Sequence, residues 1–289
     1  MLKTRFSASL PFPAALFPRG LHPKGADAYK ARRPPAAPLY NIHAMQSQSV
    51  SALPELSVVV PVKDEAENVR PLIDEIVAAL RGRESFEIVY VDDGSKDATP
   101  SILETAKAEV PELRVVRHEK NAGQSAGVRT GVKSARGTLV ATLDGDGQND
   151  PADIPKLLAA YRAGGVKLVG GQRVKRQDSK AKLWASKWAN RIRGWLLQDD
   201  TRDTGCGLKL FERQAFLDLP YFDHLHRFLP ALMKRDGHRI AMVDVGHRAR
   251  TRGASKYGVL DRALVSIRDI MGVMWLIKRR RLPGSVTEV

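Results

Sequence analysis

The sequence predicts an α/β protein built on a mostly parallel β-sheet. Short apolar, β-branched runs alternate with segments whose apolar residues recur at helical spacing, which is typical of parallel strands joined by right-handed helical crossovers. Each apolar run is followed by a polar segment that contains Asp, Asn, Ser or Gly. Ligands of such sheets bind beyond the carboxyl ends of the strands, so we expect the functional site among these segments.

The first strand is predicted from the run LSVVVP, whose continuous apolar character indicates burial on both faces. Between Ala66 and Leu80 the apolar residues have helical spacing, so an amphipathic helix follows. The predicted elements in chain order are a strand at 56–61, a helix at 66–80, a strand at 86–91, a helix at 99–108, a strand at 113–116, a helix start at 121–127 and a strand at 138–143. Asp64, Asp93, Asn121 and Asp144 follow the four strands and should therefore lie at one edge of the sheet.

The turn after the fourth strand, Asp144-Gly145-Asp146-Gly147-Gln148, is the most informative segment. Two aspartates that are two positions apart in an extended turn can face one hard cation, and Gln148 can add a third oxygen. The two glycines let the backbone approach a ligand closely. A solvated loop is the alternative for such a motif taken alone, but the buried strand before it favours a metal and phosphate site.

The turn after the first strand argues against a dinucleotide-binding Rossmann protein. It contains Pro61, Lys63, Asp64 and Glu65, where such a protein has a glycine-rich turn. A nucleotide whose phosphates are held by a metal fits the sequence better.

The net charge indicates which classes of molecule the protein binds, and the cysteine content indicates its redox compartment. The 289-residue chain has a formal net charge of +15, which favours an acidic membrane, nucleic acid or anionic substrates. Nucleic acid is disfavoured because the basic residues are spread along the chain without a recognised reader motif. Cys206 is the single cysteine, so an internal disulfide is excluded, a reducing compartment is indicated and a packing role is favoured for this residue.

Several motifs together resemble those of a known family. They are Val59-Val60-Pro61 with Glu65 and Asn68, Val91-Asp92-Asp93-Gly94-Ser95, Asn121-x-Gly123 and Asp144-x-Asp146-x-Gln148. In this order the sequence resembles the family 2 glycosyltransferases of GT-A fold over residues 56–257. The segments 170–173, 186–190, 203–211 and 252–258 are most similar to the dolichyl-phosphate mannosyltransferase-like branch. The resemblance implies a single GT-A domain with a Rossmann-like, mostly parallel sheet flanked by helices.

For the donor side, the resemblance implies a nucleotide sugar carrying GDP or UDP. Pro61, Glu65 and Asp93 would contact its base and ribose. Mg²⁺ or Mn²⁺ would be held on the diphosphate by Asp144, Asp146 and Gln148. The donor-binding set is Pro61, Glu65, Asp93, Asp144 and Lys256.

For the acceptor side, the resemblance implies a polyprenyl phosphate. Arg173 and Lys187 would bind its phosphate, with Lys187 standing where the branch has an arginine. Asp203 would line the acceptor side of the pocket, and Arg252 and Lys256 would lie on a loop that closes over the diphosphate. The catalytic set implied is Asp146, Arg173, Asp203, Arg252 and Lys256.

The acceptor decides whether a base is needed. A phosphate monoester has a second pKa of about 6, so it is mostly ionised at neutral pH and needs cations to position it. We therefore expect a single in-line displacement with inversion at the anomeric carbon. The alternative acceptor is a sugar hydroxyl of a glycan or glycolipid, for which Asp203 would be the base. A non-catalytic binding subunit is a further alternative, which the intact acidic turn argues against.

The two ends are predicted to differ from the central domain at 54–258. Residues 1–53 are rich in Pro, Ala and Arg, which predicts a disordered extension. The extension resembles an organellar transit peptide. Because Met45 precedes the first strand, the alternative is an overextended start of the reading frame. Residues 259–289 predict an amphipathic helix and a basic tail. Charges at Arg262, Arg268 and Asp269 interrupt its apolar stripe, so it should lie in a membrane interface, the alternative being a helix packed on the domain.

These features predict where the protein acts. We expect a cytoplasmic protein, peripheral at the inner face of the membrane, whose basic tail is attracted to anionic lipids. Access to a lipid acceptor would come from the last helix or from a separate small membrane anchor protein.

Overall fold

The computed structural model describes residues 53–173, 193–194, 196–197, 201, 203, 205–248, 259–281 and 287. Within them the chain forms a sheet of seven strands: β1 (Leu56–Val62), β2 (Phe86–Asp92), β3 (Leu113–Arg117), β4 (Leu139–Thr142), β5 (Leu168–Arg173), β6 (Lys209–Glu212) and β7 (Ile240–Val245). Their spatial order is β3-β2-β1-β4-β6-β5-β7. Strand β6 is antiparallel to both of its neighbours, and the other pairs are parallel. The predicted mostly parallel sheet is confirmed.

Helices cover both faces of this sheet. They are α1 (Ala66–Leu80), α2 (Thr99–Glu109), α3 (Gln124–Ser134), α4 (Ile154–Arg162), α5 (Arg213–Leu217), α6 (Leu229–Arg235) and α7 (Val259–Arg279). One core cluster joins α1, α2 and α4 to one face, and a second joins α3, α5, α6 and α7 to the other. The two clusters alternate along β1, where Val58 and Val60 belong to the first and Val59 to the second. The sheet is thus buried on both sides, as the continuous apolar strands predict.

Helix α3 lies close to the sheet because two of its glycines face β1. A Cβ at Gly131 would overlap Cγ1 of Val59, and a Cβ at Gly127 would lie 2.9 Å from Cβ of Pro61. This close approach brings the first turn of α3 to the carboxyl end of β1. The loops that carry the acidic motifs therefore meet the start of α3.

Helix α7 presents two apolar faces. Val273 is fully buried, and Ile270 packs on the core with it. On the opposite face Ile267, Met271 and Trp275, spaced four residues apart, are 56%, 66% and 59% exposed. Packing on the domain and an exposed apolar stripe therefore coexist in one helix. Among the helices of the described residues, none has the length and apolar character required to cross a membrane.

Candidate active site

The acidic turn lies directly beyond β4, at the edge where β1 and β2 also end. Oδ1 of Asp144 accepts a hydrogen bond of 2.7 Å from Nε2 of Gln124, the first residue of α3. Oδ1 of Asp146 accepts one of 3.2 Å from the amide of Gln148. Gly147 has a φ of +71°, a conformation that favours glycine. The turn is thus folded by its own residues and tied to α3 by one side chain.

The electrostatics of the turn are those of two carboxylates held close together. Burial, and then repulsion from Asp146, raises the pKa of Asp144 to about 6. The positive charges of Lys209 and Arg173 and the hydrogen bond from Gln124 act in the opposite direction. The arrangement therefore favours the arrival of a cation, which would relieve the repulsion between the two carboxylates.

A glycine provides the space in which the Asp144 carboxylate lies. A Cβ added at Gly207 would overlap all three atoms of that carboxyl group. The carbonyl of Gly207 accepts a hydrogen bond of 2.8 Å from Oγ1 of Thr142, which fixes this backbone against β4. The segment before β6 is thereby one wall of the acidic turn.

Arg173, the last residue of β5, forms a two-pronged ion pair with Asp203. Its Nε lies 2.6 Å from Oδ2 and its Nη2 lies 2.8 Å from Oδ1 of the carboxylate. Both side chains are largely buried, and the hydrogen bonds that Arg173 donates to Asp203 raise the pKa of Arg173. The charge of Arg173 acts on Asp144, so the pair belongs to the same electrostatic cluster as the acidic turn.

Lys209 at the start of β6 is a buried lysine behind this cluster. Only 4% of the residue is exposed, and its Nζ donates a hydrogen bond to the main-chain oxygen of Cys206. Burial lowers the pKa of Lys209, whereas the negative charges of Asp144 and Asp203 raise it. Lysines are rarely buried to this extent without a partner of opposite charge.

On the donor side, the predicted carboxylates already have partners within the protein. Asp93 is 4% exposed and accepts hydrogen bonds of 2.8 Å from the amides of Ala122 and Gly123, and Nδ1 of His118 lies 2.7 Å from its Oδ1. Oε2 of Glu65 accepts a hydrogen bond of 2.7 Å from Nδ2 of Asn68. The bonds of Asp93 join the loops after β2 and β3, whereas the bond of Glu65 lies within the start of α1. Contact of both carboxylates with a donor stays a prediction.

Two histidines connect the start of α3 with α7. Nδ1 of His226 lies 2.7 Å from Oγ of the buried Ser125, and burial lowers the pKa of His226 to about 3, so the ring is neutral near pH 7. Nδ1 of His224 lies 2.9 Å from Oδ2 of Asp269 on α7. His224 has a φ of +64°, which is uncommon for a residue other than glycine. The α5–α6 connection thus links the last helix to the edge of the site.

Comparison with known proteins decides the family. The sequence profile of glycosyl transferase family 2 matches residues 57–219, more than half of the chain. The chain belongs to glycosyl transferase family 2.

Relatives of this family 2 glycosyltransferase include the dodecaprenyl-phosphate galacturonate synthase of Rhizobium johnstonii. The two are 36% identical over 238 residues, which cover 80% of this chain and 69% of the relative. The undecaprenyl-phosphate 4-deoxy-4-formamido-L-arabinose transferase of Aeromonas hydrophila is 34% identical over 207 residues. That match covers 71% of this chain but 63% of the relative, so the chain spans less than two thirds of that protein.

Solved structures confirm the GT-A fold. Glucosyl-3-phosphoglycerate synthase from Mycobacterium tuberculosis, in complex with Mn²⁺, UDP and glucosyl-3-phosphoglycerate, matches with a TM-score of 0.60 and 20% identity. The match covers 78% of this chain and 80% of that chain. The same synthase in complex with Mn²⁺, UDP-glucose and phosphoglyceric acid gives a TM-score of 0.60 and 19% identity.

The structure brings together part of the site that the sequence predicts for this glycosyltransferase. Asp144, Asp146, Gln148, Arg173 and Asp203 lie around the ends of β4 and β5, with Asp144, Asp146 and Arg173 coupled electrostatically. Pro61, Glu65 and Asp93 lie at the ends of β1 and β2. Lys187, Arg252 and Lys256 are outside the described residues. All of these site roles stay predictions.

The metal-binding part of the prediction rests on two carboxylates and an amide. Within the described residues, no group of three or more His, Cys, Asp or Glu side chains could hold a metal ion. The predicted metal site does not need three such side chains, because Gln148 would supply an amide oxygen and the donor diphosphate would supply further oxygens. Oxygen donors of this kind fit Mg²⁺ or Mn²⁺.

Sequence reasoning missed three residues that shape the site: Gln124, Gly207 and Lys209. Gln124 directly follows the Asn121-x-Gly123 motif, and the other two lie within the segment at 203–211. A signal existed for Lys209, because a lysine between Leu208 and Leu210 interrupts an apolar strand. Gln124 and Gly207 are distant from Asp144 in the sequence and meet it only in the folded chain, so no local pattern indicates their contact with it.

Replacing Gly207 with alanine is expected to displace the Asp144 carboxylate and to lower turnover and Mn²⁺ affinity by roughly 10- to 100-fold. The new Cβ has no room beside that carboxyl group, while the hydrogen bond from the Thr142 hydroxyl to the carbonyl of residue 207 is retained. Initial rates and Mn²⁺ titrations measure the effect. Gly272→Ala is the matched control, since a Cβ there meets no atom within 4 Å and should leave both quantities unchanged. Unchanged Mn²⁺ affinity in Gly207→Ala would contradict the prediction.

Proposed function

We propose that this chain is an inverting glycosyltransferase that transfers a hexose from a GDP- or UDP-linked donor to a polyprenyl phosphate. The observation that carries the proposal is a buried guanidinium, that of Arg173, oriented by Asp203 beside the acidic turn. Relatives named for dodecaprenyl and undecaprenyl phosphate support the same acceptor class. The alternative acceptor, a sugar hydroxyl, would need a base, but both oxygens of Asp203 are engaged by Arg173.

The proposal assigns the acceptor phosphate to Arg173. A guanidinium has five N–H donors, and the ion pair with Asp203 uses two nitrogens, so the group can bind a phosphate while its plane stays fixed. Lys187 is assigned to the same phosphate from the sequence. An ionised phosphate needs this positioning and no proton acceptor, so the attack on the anomeric carbon follows from orientation in a site of opposite charge.

The proposal assigns a divalent cation to Asp144, Asp146 and Gln148. The two close carboxylates and the amide are oxygen ligands suited to Mg²⁺ or Mn²⁺, and two structures of the same fold contain Mn²⁺ with UDP or UDP-glucose. When bound, the cation would neutralise charge that develops on the leaving diphosphate. Arg252 and Lys256 are assigned to the same diphosphate, and Pro61, Glu65 and Asp93 to the base and ribose.

The test is a transfer assay with labelled UDP- and GDP-sugars, undecaprenyl phosphate and either Mn²⁺ or EDTA. Label extracted into organic solvent only with metal, and from one donor, is the expected result and identifies the sugar. Nucleotide release stimulated by a soluble glycan, with no label in the organic phase, would replace the phosphate acceptor with a hydroxyl. No turnover with any acceptor would favour a binding subunit.

We further propose that the protein acts at the cytoplasmic face of an anionic membrane, which the outer face of α7 contacts. That face consists of Ile267, Met271 and Trp275 and leads into Lys278 and Arg279 at the end of the helix. Apolar area beside basic residues matches the interface of a bilayer with anionic lipids. A separate small membrane anchor protein is the alternative occupant of this face.

Replacing Met271 with glutamate is expected to reduce binding to vesicles of phosphatidylglycerol by at least about tenfold, because a charge would enter the apolar contact. Vesicle co-sedimentation measures this, with phosphatidylcholine vesicles as the uncharged comparison. Tyr221→Glu is the matched control, since Tyr221 is a partly exposed aromatic residue outside α7. Equal binding of both variants, or no wild-type binding to either vesicle, would exclude the membrane as the occupant.

A further inference from the structure

Lys209 is held at a fixed place behind the acidic turn by the sheet itself. In the antiparallel register of β4 and β6 it lies opposite Thr142, two residues before Asp144, and in that of β5 and β6 it lies opposite Gly170. Strand β6 is central, with paired strands on both sides. The position of this positive charge is therefore set by backbone pairing and does not depend on a surface loop.

The charge of Lys209 has little compensation nearby. Within the described residues its Nζ donates to one neutral acceptor, the carbonyl of Cys206, and makes no ion pair. Cys206, Asp144 and Asp203 are the acidic groups that act on it, and the charge of Arg173 opposes their effect. A buried ammonium with one neutral acceptor is costly, and an apolar side chain of similar length would avoid that cost.

We propose that Lys209 is the built-in counter-charge of the acidic turn, a positioning residue that holds Asp144 in place without a metal and weakens divalent cation binding there. The inference rests on the metal site of the proposed function. Asp144 and Asp146 lie close together, and a cation bound between them would be repelled by the positive charge of Lys209. Because Lys209 is buried, water screens this repulsion only weakly. Lys209 thus makes the bound cation easier to release.

The charge of Lys209 can be separated from its hydrogen bond. Lys209→Met removes both, whereas Lys209→Gln removes the charge and keeps a donor for the carbonyl of Cys206. Both variants are expected to bind Mn²⁺ at least about fivefold more tightly than the wild type, because the repulsion is lost. Titrations followed by the electron paramagnetic resonance signal of free Mn²⁺ measure this without substrate or turnover.

Thermal unfolding gives a second measurement. Mn²⁺ should raise the Tm of both variants more than that of the wild type, because they bind it more tightly. If Lys209 only supports packing, its replacement would distort the turn and weaken Mn²⁺ binding. Mn²⁺ would then raise the Tm of the variants less than that of the wild type.

Lys167→Met is the matched control. It also removes one positive charge from the same sheet, but Lys167 pairs with Glu212 at the opposite ends of the strands. Its Mn²⁺ affinity should equal that of the wild type. Equal or weaker Mn²⁺ binding by both Lys209 variants would overturn the inference and leave the proposed function intact. If the wild type binds no Mn²⁺, the metal site itself fails, and the inference fails with it.

Discussion

Replacing Asp146 with asparagine is expected to lower turnover on the order of a thousandfold or more while the fold is retained. The change removes one of the two carboxylates assigned to the cation, and the remaining carboxylate is Asp144. Asparagine keeps an oxygen that can accept the amide hydrogen bond of Gln148, so the turn should retain its shape. Initial rates of sugar transfer at saturating Mn²⁺, together with thermal unfolding, measure both parts of the prediction.

Asp150→Asn is the matched control for this change. Asp150 lies four residues further along the same loop, caps the 3₁₀ turn Pro151–Asp153 through the amide of Ala152, and pairs with Arg248. Removing its charge should cost less than about tenfold in rate, since an exposed ion pair contributes little and asparagine can still cap. Comparable rates for Asp146→Asn and the wild type would exclude Asp146 from the catalytic machinery.

The pair formed by Arg173 and Asp203 gives the second large effect. If Arg173 binds the acceptor phosphate and Asp203 orients it, Arg173→Met should lower kcat/KM by about 100- to 1,000-fold, because a charge-assisted phosphate contact is lost. Asp203→Asn should cost about tenfold, because asparagine preserves part of the contact with the guanidinium. The double variant should be no slower than Arg173→Met alone, since both residues act through one group.

A base at Asp203 would give a different pattern. Asp203→Asn would then lose at least about a thousandfold in kcat, and the acidic limb of the pH–rate profile would disappear with it. The exposed pair of Arg81 and Glu112 on the protein surface is the matched control, where Arg81→Met should leave kcat/KM unchanged. Fully additive losses in the double variant of Arg173 and Asp203 would contradict a shared role in binding the acceptor.

The first half of the fold could be predicted closely from the sequence. The helix at 66–80 has the predicted limits, and the first four strands begin and end within one residue of the prediction. These elements have strong local signals, because each strand is a continuous apolar run and each helix has an apolar stripe of its own. Strands β5, β6 and β7 were not predicted, since glycines in β5 and a lysine in β6 interrupt the apolar pattern.

The residue types of the site, and the edge of the sheet at which they lie, follow from the local sequence patterns. Acidic motifs after parallel strands must meet at the carboxyl edge, and their order along the chain is characteristic of the family. Which side chains meet at that edge depends on the tertiary packing. Strand β6 enters antiparallel between β4 and β5, which places Gly207 against Asp144 and Lys209 behind it. Such contacts join residues more than 60 positions apart and depend on strand order and register, which no local pattern encodes.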